Sequence, residues 1–227
     1  MQKSPMVRGY HLDGKSRAVD DCFFVGVCGG SASGKSHLSR KISDFYRGSA
    51  TIISQDDYYH DNSHLTGYER EIKNYDHPDA IDLGLLYKNL SGLKSGVSVE
   101  APRYSFESHG RMSTGQTFFP NKIIIVEGLF VFQHPELRQL LDLKVFLTVD
   151  HDIRLIRRIR RDVEERGRSL KSVLDQYVAT TKPMHDEFIE PASQYADQLI
   201  SCLDSKDMDS AVTTISQRIS DLTTEVN

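Results

Sequence analysis

The 227-residue chain carries 28 basic and 32 acidic side chains, a formal net charge of −4, so it has no global field for nucleic acid and any polyanion site must be local. Cys22, Cys28 and Cys202 are odd in number and form no CxxC pair, which excludes a disulfide framework and suits a reducing, cytoplasmic setting. No apolar run reaches membrane-spanning length.

Residues 1–21 are polar, lack the apolar stretch of a signal peptide and read as a poorly ordered tail. The remainder, 22–227, has the length of one α/β domain. The apolar run 23–28 predicts a buried strand. It feeds Gly29-Gly30-Ser31-Ala32-Ser33-Gly34-Lys35-Ser36, the phosphate-loop pattern G-x-x-x-x-G-K-[ST]. Gly29 and Gly34 permit backbone angles and close approaches that a Cβ would block. The loop N–H groups, those of Ser31, Ala32 and Ser33 included, then converge on phosphate oxygens, helped by the N-terminus of a helix predicted over 36–46. Lys35 reaches the β- and γ-phosphates, and the Ser36 hydroxyl binds Mg²⁺.

A strand over 50–54 ends in Ser54-Gln55-Asp56-Asp57-Tyr58-Tyr59. A carboxylate here could take a proton from an attacking hydroxyl; a plain turn-forming Asp pair is the alternative. His60 and His64 are four apart, but no third ligand keeps helical spacing, so they read as loop residues. A helix is expected over 82–93, and the short extended runs of 97–119 read as a hairpin-like insertion. Strand 123–127 ends in Glu127, where an acid supports Mg²⁺ directly or through water. A further strand spans 143–149.

Residues 151–171 hold seven arginines and a lysine. Over a helix at 151–166, Arg154, Arg157, Arg158 and Arg161 share one face; Leu155, Ile156, Ile159 and Val163 share the opposite one. Arg166-Gly167-Arg168 follows. Such a stripe is either a solvated or RNA-binding face or a mobile lid that neutralises a transferring phosphoryl group. Asp152, Asp162, Glu164 and Glu165 dilute it for RNA, and the phosphate loop favours the lid. Helices over 169–188 and 206–224 and a weak strand over 196–200 complete the pattern. The fold class is α/β: a P-loop NTPase-type parallel sheet with helices on both faces, a small β-hairpin insertion and an arginine-rich helical lid. The only Asn-Lys pair, Asn121-Lys122, lacks the following Asp of a guanine-reading GTPase motif.

The motifs in order are GGSASGKS at 29–36, SQDDYY at 54–59, NYDHPDAID at 74–82, PRYSFESHGR at 102–111, VEG at 126–128, RRDVEERGRS at 160–169, KPMHDEFIEP at 182–191 and YAD at 195–197. With them the chain resembles the uridine kinases, or uridine–cytidine kinases, over about 23–200. The resemblance implies transfer of the γ-phosphoryl group of ATP or GTP, with Mg²⁺, to the 5′-hydroxyl of uridine or cytidine. It implies Asp56 as base and metal neighbour, and Lys35, Arg161 and Arg166 on phosphates. Asp76 and Arg158 would bind the ribose diol, and Tyr75 and Phe106 would flank the pyrimidine. Tyr104, His109 and Arg168, with Gln176 nearby, would read its polar edge, and Tyr59 belongs to the same pocket. A homotetramer and feedback inhibition by UTP and CTP are implied as well, with no nucleic-acid or membrane partner. Residues 198–208, QLISCLDSKDM, depart from the family pattern, which usually carries a Pro-Arg-Gly-Gly-like stretch there. A P-loop kinase of another small alcohol and a catalytically silent nucleotide- or RNA-binding protein are the competing readings.

Overall fold

The computed structural model describes residues 22–224, so the tail expected over 1–21 lies outside the described residues. Strand β1 (Phe23–Gly29) runs through the phosphate loop into α1 (Lys35–Phe45), followed by β2 (Ala50–Ser54). Helix α2 (Gly67–Ile72) precedes α3 (Leu83–Lys94). The insertion consists of β3 (Val99–Ala101), β4 (Tyr104–Ser105), β5 (Gly110–Arg111) and β6 (Gln116–Phe118). Then come β7 (Ile123–Gly128), α4 (Pro135–Leu140) and β8 (Leu143–Thr148). Helices α5 (His151–Glu164), α6 (Leu170–Gln176) and α7 (Lys182–Met184) lead to β9 (Gln198–Ser201) and α8 (Ser205–Thr224).

Among the described residues the main sheet has five parallel strands in the order β2-β7-β1-β8-β9. Side chains alternate across a strand, and both faces of β1 are buried. Phe24 and Cys28 join Ile53, Tyr58, Leu90, Phe130 and Phe146 under α3. Val25 and Val27 join Leu38, Ile42, Val145 and Ile215 under α1 and α8. The aromatic members are wholly enclosed, so truncating Phe24 or Phe130 to alanine should cost about 3–5 kcal/mol. Gly26 lies where a Cβ would come within 2.5 Å of Leu141 Cδ1 and 2.9 Å of Phe132 Cε1, so the centre of β1 has no room for a side chain.

The expected strands are all present, with ends moved by one or two residues, and the insertion is two nested ribbons, β3–β6 outside β4–β5. Two helices went unread. Helix α2 is started by a capping box between Thr66 and Glu69, a signal present in the sequence as Thr-x-x-Glu. Helix α4 has Pro135 in its first turn. The single helix expected over 169–188 is a correction. After α6 the chain makes π-turns at Tyr177–Thr181 and His185–Ile189, on either side of α7, and a 3₁₀ stretch at Glu190–Tyr195. Pro183 and Pro191 each follow a π-turn by two residues. A proline ring clashes with the carbonyl four residues back, and widening the turn relieves that clash.

Helix α5 inverts the usual polarity of a surface helix. Arg154, Arg158 and Asp162 are buried, while Ile156 and Val163 are 47% and 37% exposed. The basic face therefore looks inward. Arg154 packs on the phosphate loop, where a Cβ on Gly30 would meet its Nη1 at 2.3 Å. Its Nη2 lies 3.0 Å from His185 Nε2, which is also 3.1 Å from Glu190 Oε2.

Burial and the Arg154 charge hold the His185 imidazole down at about 3. Between pH 6.5 and 3 the unfolded chain therefore binds a proton that the folded chain refuses, so this residue's contribution to stability is full above pH 6.5 and is lost as pH falls below it. His185→Gln should flatten the acid side of the stability curve relative to the parent, by up to about 1.4 kcal/mol per pH unit. Urea unfolding at pH 4.5, 5.5 and 7 checks this; parallel curves for the two proteins would contradict it.

Candidate active site

The parallel register sets Val27 of β1 beside Glu127 of β7, and Glu127 beside Ser54 of β2. Three strand ends thus present the phosphate loop, an acid and the Asp56 turn on one edge. Ligands of open α/β sheets bind beyond this carboxyl edge. The loop turns through Gly29 (φ 145°) and Gly34 (φ 100°), with Ala32 also left-handed at φ 62°. A Cβ on Gly29 would stand 2.7 Å from the Leu147 carbonyl oxygen, so only glycine fits. Lys35 Nζ donates to Gly30 O at 2.9 Å, folded back across its own loop. Burial pushes its pKa down, opposed by the nearby Glu127.

Glu127 Oε1 accepts hydrogen bonds from Ser36 Oγ at 3.0 Å and Ser54 Oγ at 3.1 Å. Burial and the Asp56 charge push its pKa up, and Lys35 opposes them. The Ser36 and Ser54 hydroxyls, the Glu127 carboxylate and the Asp56 charge that bears on it offer oxygen donors, the type a hard divalent cation takes. Asp56 is the second residue of the 3₁₀ turn Gln55–Tyr58, with its N–H donating to Ser54 Oγ. Its neighbour Asp57 turns to the insertion instead, where Oδ1 accepts from Tyr104 N at 3.3 Å.

Asp76 is the focus of the second half of the site. Its Oδ2 accepts from Thr180 Oγ1 at 2.7 Å, Thr181 Oγ1 at 3.0 Å and Gln176 Nε2 at 3.2 Å. Arg158 Nη1 stands 3.9 Å from Asp76 Oδ1 and donates to Ser31 Oγ of the phosphate loop at 3.0 Å. One guanidinium therefore spans from the carboxylate to the loop. Burial pushes its pKa down, and Asp76 and Asp162 oppose the shift. Gln176 Oε1 accepts from Arg158 Nη2 at 3.1 Å and from Arg168 Nη1 at 2.5 Å.

The aromatic residues form one cluster. Tyr59 lies 5.0 Å from Tyr104 and 5.8 Å from Phe106 between ring centroids, and Tyr104 lies 5.3 Å from Phe106. Tyr75 lies 5.0 Å from His109, which takes a left-handed φ of 52° in the β4–β5 turn. Tyr59 Oη donates to Tyr75 O at 3.1 Å. Arg166 sits over the Phe106 ring at 4.6 Å, which docks the end of α5 on the insertion. Arg161 turns to Asp162, with Nε and Nη2 each 2.8 Å from Oδ1.

Every expected site residue thus falls on this edge or on the cluster facing it. Sequence reasoning missed Ser54, Thr180, Thr181 and Asp162. Ser54 and Asp162 lie inside the motifs at 54–59 and 160–169, but the motifs assign them no partner, and Thr180 and Thr181 reach Asp76 only across more than a hundred residues of chain. His60 and His64 join no trio of metal-ligating groups; among the described residues the one such trio is His151, His185 and Asp186. A separate cavity of about 340 Å³ lies beside the loop, lined by Ala32, Gly34, His37, Arg157, Asp204 and Met208 among others. The departing segment 198–208 supplies one of its walls.

Residues 24–209 match the phosphoribulokinase / uridine kinase family. A uridine kinase of Macrococcus caseolyticus (strain JCSC5402) is 47% identical over 177 residues, 78% of this chain and 86% of that protein. A uridine kinase of Staphylococcus carnosus (strain TM300) is 46% identical, covering 78% and 85%. Among solved structures, a putative fructose transport system kinase from Silicibacter sp. TM1040 superimposes with a TM-score of 0.66 at 20% identity, covering 79% of this chain and 89% of that one. A possible uridine kinase from Bacillus stearothermophilus gives 0.57 at 21% identity, covering 83% and 91%. At such identities these two structures speak for the fold alone.

Thr180→Val with Thr181→Val should leave the Asp76 carboxylate buried with one donor fewer for each hydroxyl lost. Each deletion should cost about 1–3 kcal/mol of stability. Urea midpoints of the single and double variants measure it, and unchanged midpoints would mean that water replaces both hydroxyls.

Proposed function

Because the chain belongs to the phosphoribulokinase / uridine kinase family, we propose that its sheet edge and aromatic insertion form the two halves of one nucleoside kinase site. The chain is a phosphotransferase that phosphorylates a nucleoside in pyrimidine salvage. The acceptor we propose is uridine, cytidine or both, and the donor is ATP or GTP. The observation that carries this reading is the Arg158 bridge, which ties a diol-reading carboxylate, Asp76, to Ser31 of the phosphate loop. A carboxylate accepts two hydrogen bonds and so suits the vicinal 2′- and 3′-hydroxyls of ribose.

In this reading Asp56 accepts the proton of the 5′-hydroxyl as its oxygen bonds to the γ-phosphorus of the donor. The bond from γ-phosphorus to the β-bridging oxygen breaks, and the nucleoside diphosphate leaves. Lys35, Arg161 and Arg166 offset charge on the transferring group, the term that dominates phosphoryl transfer. Ser36, Glu127 and Asp56 are the residues that would hold Mg²⁺, which supplies further neutralisation of the β- and γ-phosphates when bound. The phosphates lie along Gly29–Ser36, and the donor base enters the cavity beside Gly34 and Met208. Tyr75 and Phe106 flank the pyrimidine, while Tyr104, His109 and Arg168 read its edge. Tyr59 supports that wall from below. We carry over a homotetramer, inhibition by UTP and CTP and a cytoplasmic setting as parts of the same proposal. No described helix is long and apolar enough to cross a membrane.

A nucleoside panel with Mg-ATP or Mg-GTP tests the acceptor. Uridine and cytidine should be phosphorylated, with little product from thymidine, deoxyuridine or adenosine, since a missing hydroxyl leaves buried polar groups unpaired. Equal turnover of ribose and deoxyribose forms would refute the Asp76 assignment, and faster turnover of adenosine than of uridine would refute the substrate class.

Asp56→Asn should lower kcat by about 10²–10⁴, the usual worth of a general base, with nucleoside binding retained by calorimetry. Asp57→Asn keeps an acceptor oxygen for Tyr104 N and should stay near the parent rate. The reverse pattern would move the base to Asp57.

A further inference from the structure

The mechanism proposed above uses the arginines of α5 and leaves one buried acid beside them without a task. Asp162 is fully enclosed, with 0% of its surface exposed. Four guanidinium groups surround its carboxylate. Arg161 Nη2 stands 2.8 Å from Oδ1, Arg158 Nε 3.5 Å from Oδ2, Arg166 Nη1 3.6 Å from Oδ1 and Arg168 Nη1 3.6 Å from Oδ2. The same residue holds the chain after the helix. Gly167 turns through φ 63°, and Arg168 N donates back to Asp162 O at 3.0 Å.

Three of the four arginines have a second anchor. Arg158 is on Ser31, Arg168 on Gln176, and Arg166 over Phe106. Arg161 has both its short contacts on Asp162 and is close enough to Lys35 to bear on its charge. Asp162, with Asp76 on the far side of Arg158, gives two anions for four cations, so the cluster keeps a positive excess. Without the Asp162 anion the cations would repel one another and spread apart.

We propose that Asp162 is the positioning residue of the arginine cluster: it does not touch substrate, but gathers Arg158, Arg161, Arg166 and Arg168 so that Arg161 is aimed at the transferring phosphoryl group. This rests on the kinase reading of the same site. Misplacing a transition-state group by about 1 Å can cost roughly 100-fold in rate.

The charge of Asp162 makes the idea separable from its rivals. Asp162→Asn removes a negative charge next to a polyanion site, so simple electrostatics favours tighter donor binding. A positioning role predicts the opposite for the rate. Kinetics with uridine and calorimetry with Mg-ATP should therefore show kcat lower by about 10–100-fold with donor affinity equal to the parent's or tighter. Loss of affinity and rate together would mark Asp162 as structural only, and an unchanged kcat would leave it without a role; either result overturns the proposal. Should Asp162→Asn fail to fold, Asp162→Glu keeps the charge and shifts it by one methylene, and the same pair of measurements with the same criteria applies. The parent protein separates this test from the wider reading. If the parent phosphorylates no nucleoside, the kinase assignment fails, and its rate of Mg-ATP hydrolysis by water replaces kcat in the comparison.

Discussion

The parallel pairing of β1 with β7 is the constraint on which the site depends. Register in a sheet is all or nothing, because a slip by one residue turns every side chain to the other face. Here Phe24, Cys28, Ile124 and Val126 feed one core and Val25, Val27, Ile123 and Ile125 the other. Both cores would be lost in an alignment slipped by one residue. The same register brings Glu127 level with the start of the phosphate loop and with Ser54 of β2. The chemistry at the edge is therefore positioned by hydrophobic burial several residues away from it.

On that edge the chain gathers charges that it does not neutralise. Lys35 and Arg158 are pushed toward their neutral forms by burial, and Glu127 likewise. Isolated buried ions are costly; Lys35 and Glu127 oppose each other's shift, and Asp76 and Asp162 oppose that of Arg158. The excess is positive around Asp162. An anion bound by the loop would relieve it, which links ligand binding to the order of α5. The inverted burial of that helix follows directly. Arg154 and Arg158 face the loop, Ile156 and Val163 are left toward solvent, and Leu155 and Ile159 are half-buried.

The acceptor side is built by a different principle. The insertion β3–β6 adds nothing to the main sheet and is held through its rings, through Asp57 and through Arg111. Arg111 donates to Tyr59 O at 3.0 Å and pairs with Asp82 at 3.1 Å. Arg166 closes over Phe106 from the opposite side. The arginine helix thus joins the aromatic insertion at Phe106 and approaches Asp76 through Arg158 at 3.9 Å.

The sequence by itself determined the parallel α/β class, the strand order of elements along the chain, the phosphate loop and its two flanking acids. These are local signals: apolar runs of strand length, a fixed glycine–lysine spacing, and acids directly after strands. The resemblance to uridine kinases extended the reading to Asp76, His109 and the arginines, whose roles composition and spacing alone did not reveal. Only the tertiary structure decided which way α5 faces, because an amphipathic pattern has two faces and does not say which is covered. It also decided the π-turns before Pro183 and Pro191, since a proline shows that a regular helix is strained but not how the chain relieves it. Thr180 and Thr181 were beyond sequence reasoning for a related reason. A polar side chain's partners are set by where other segments pass, and those segments lie as many as 105 residues away.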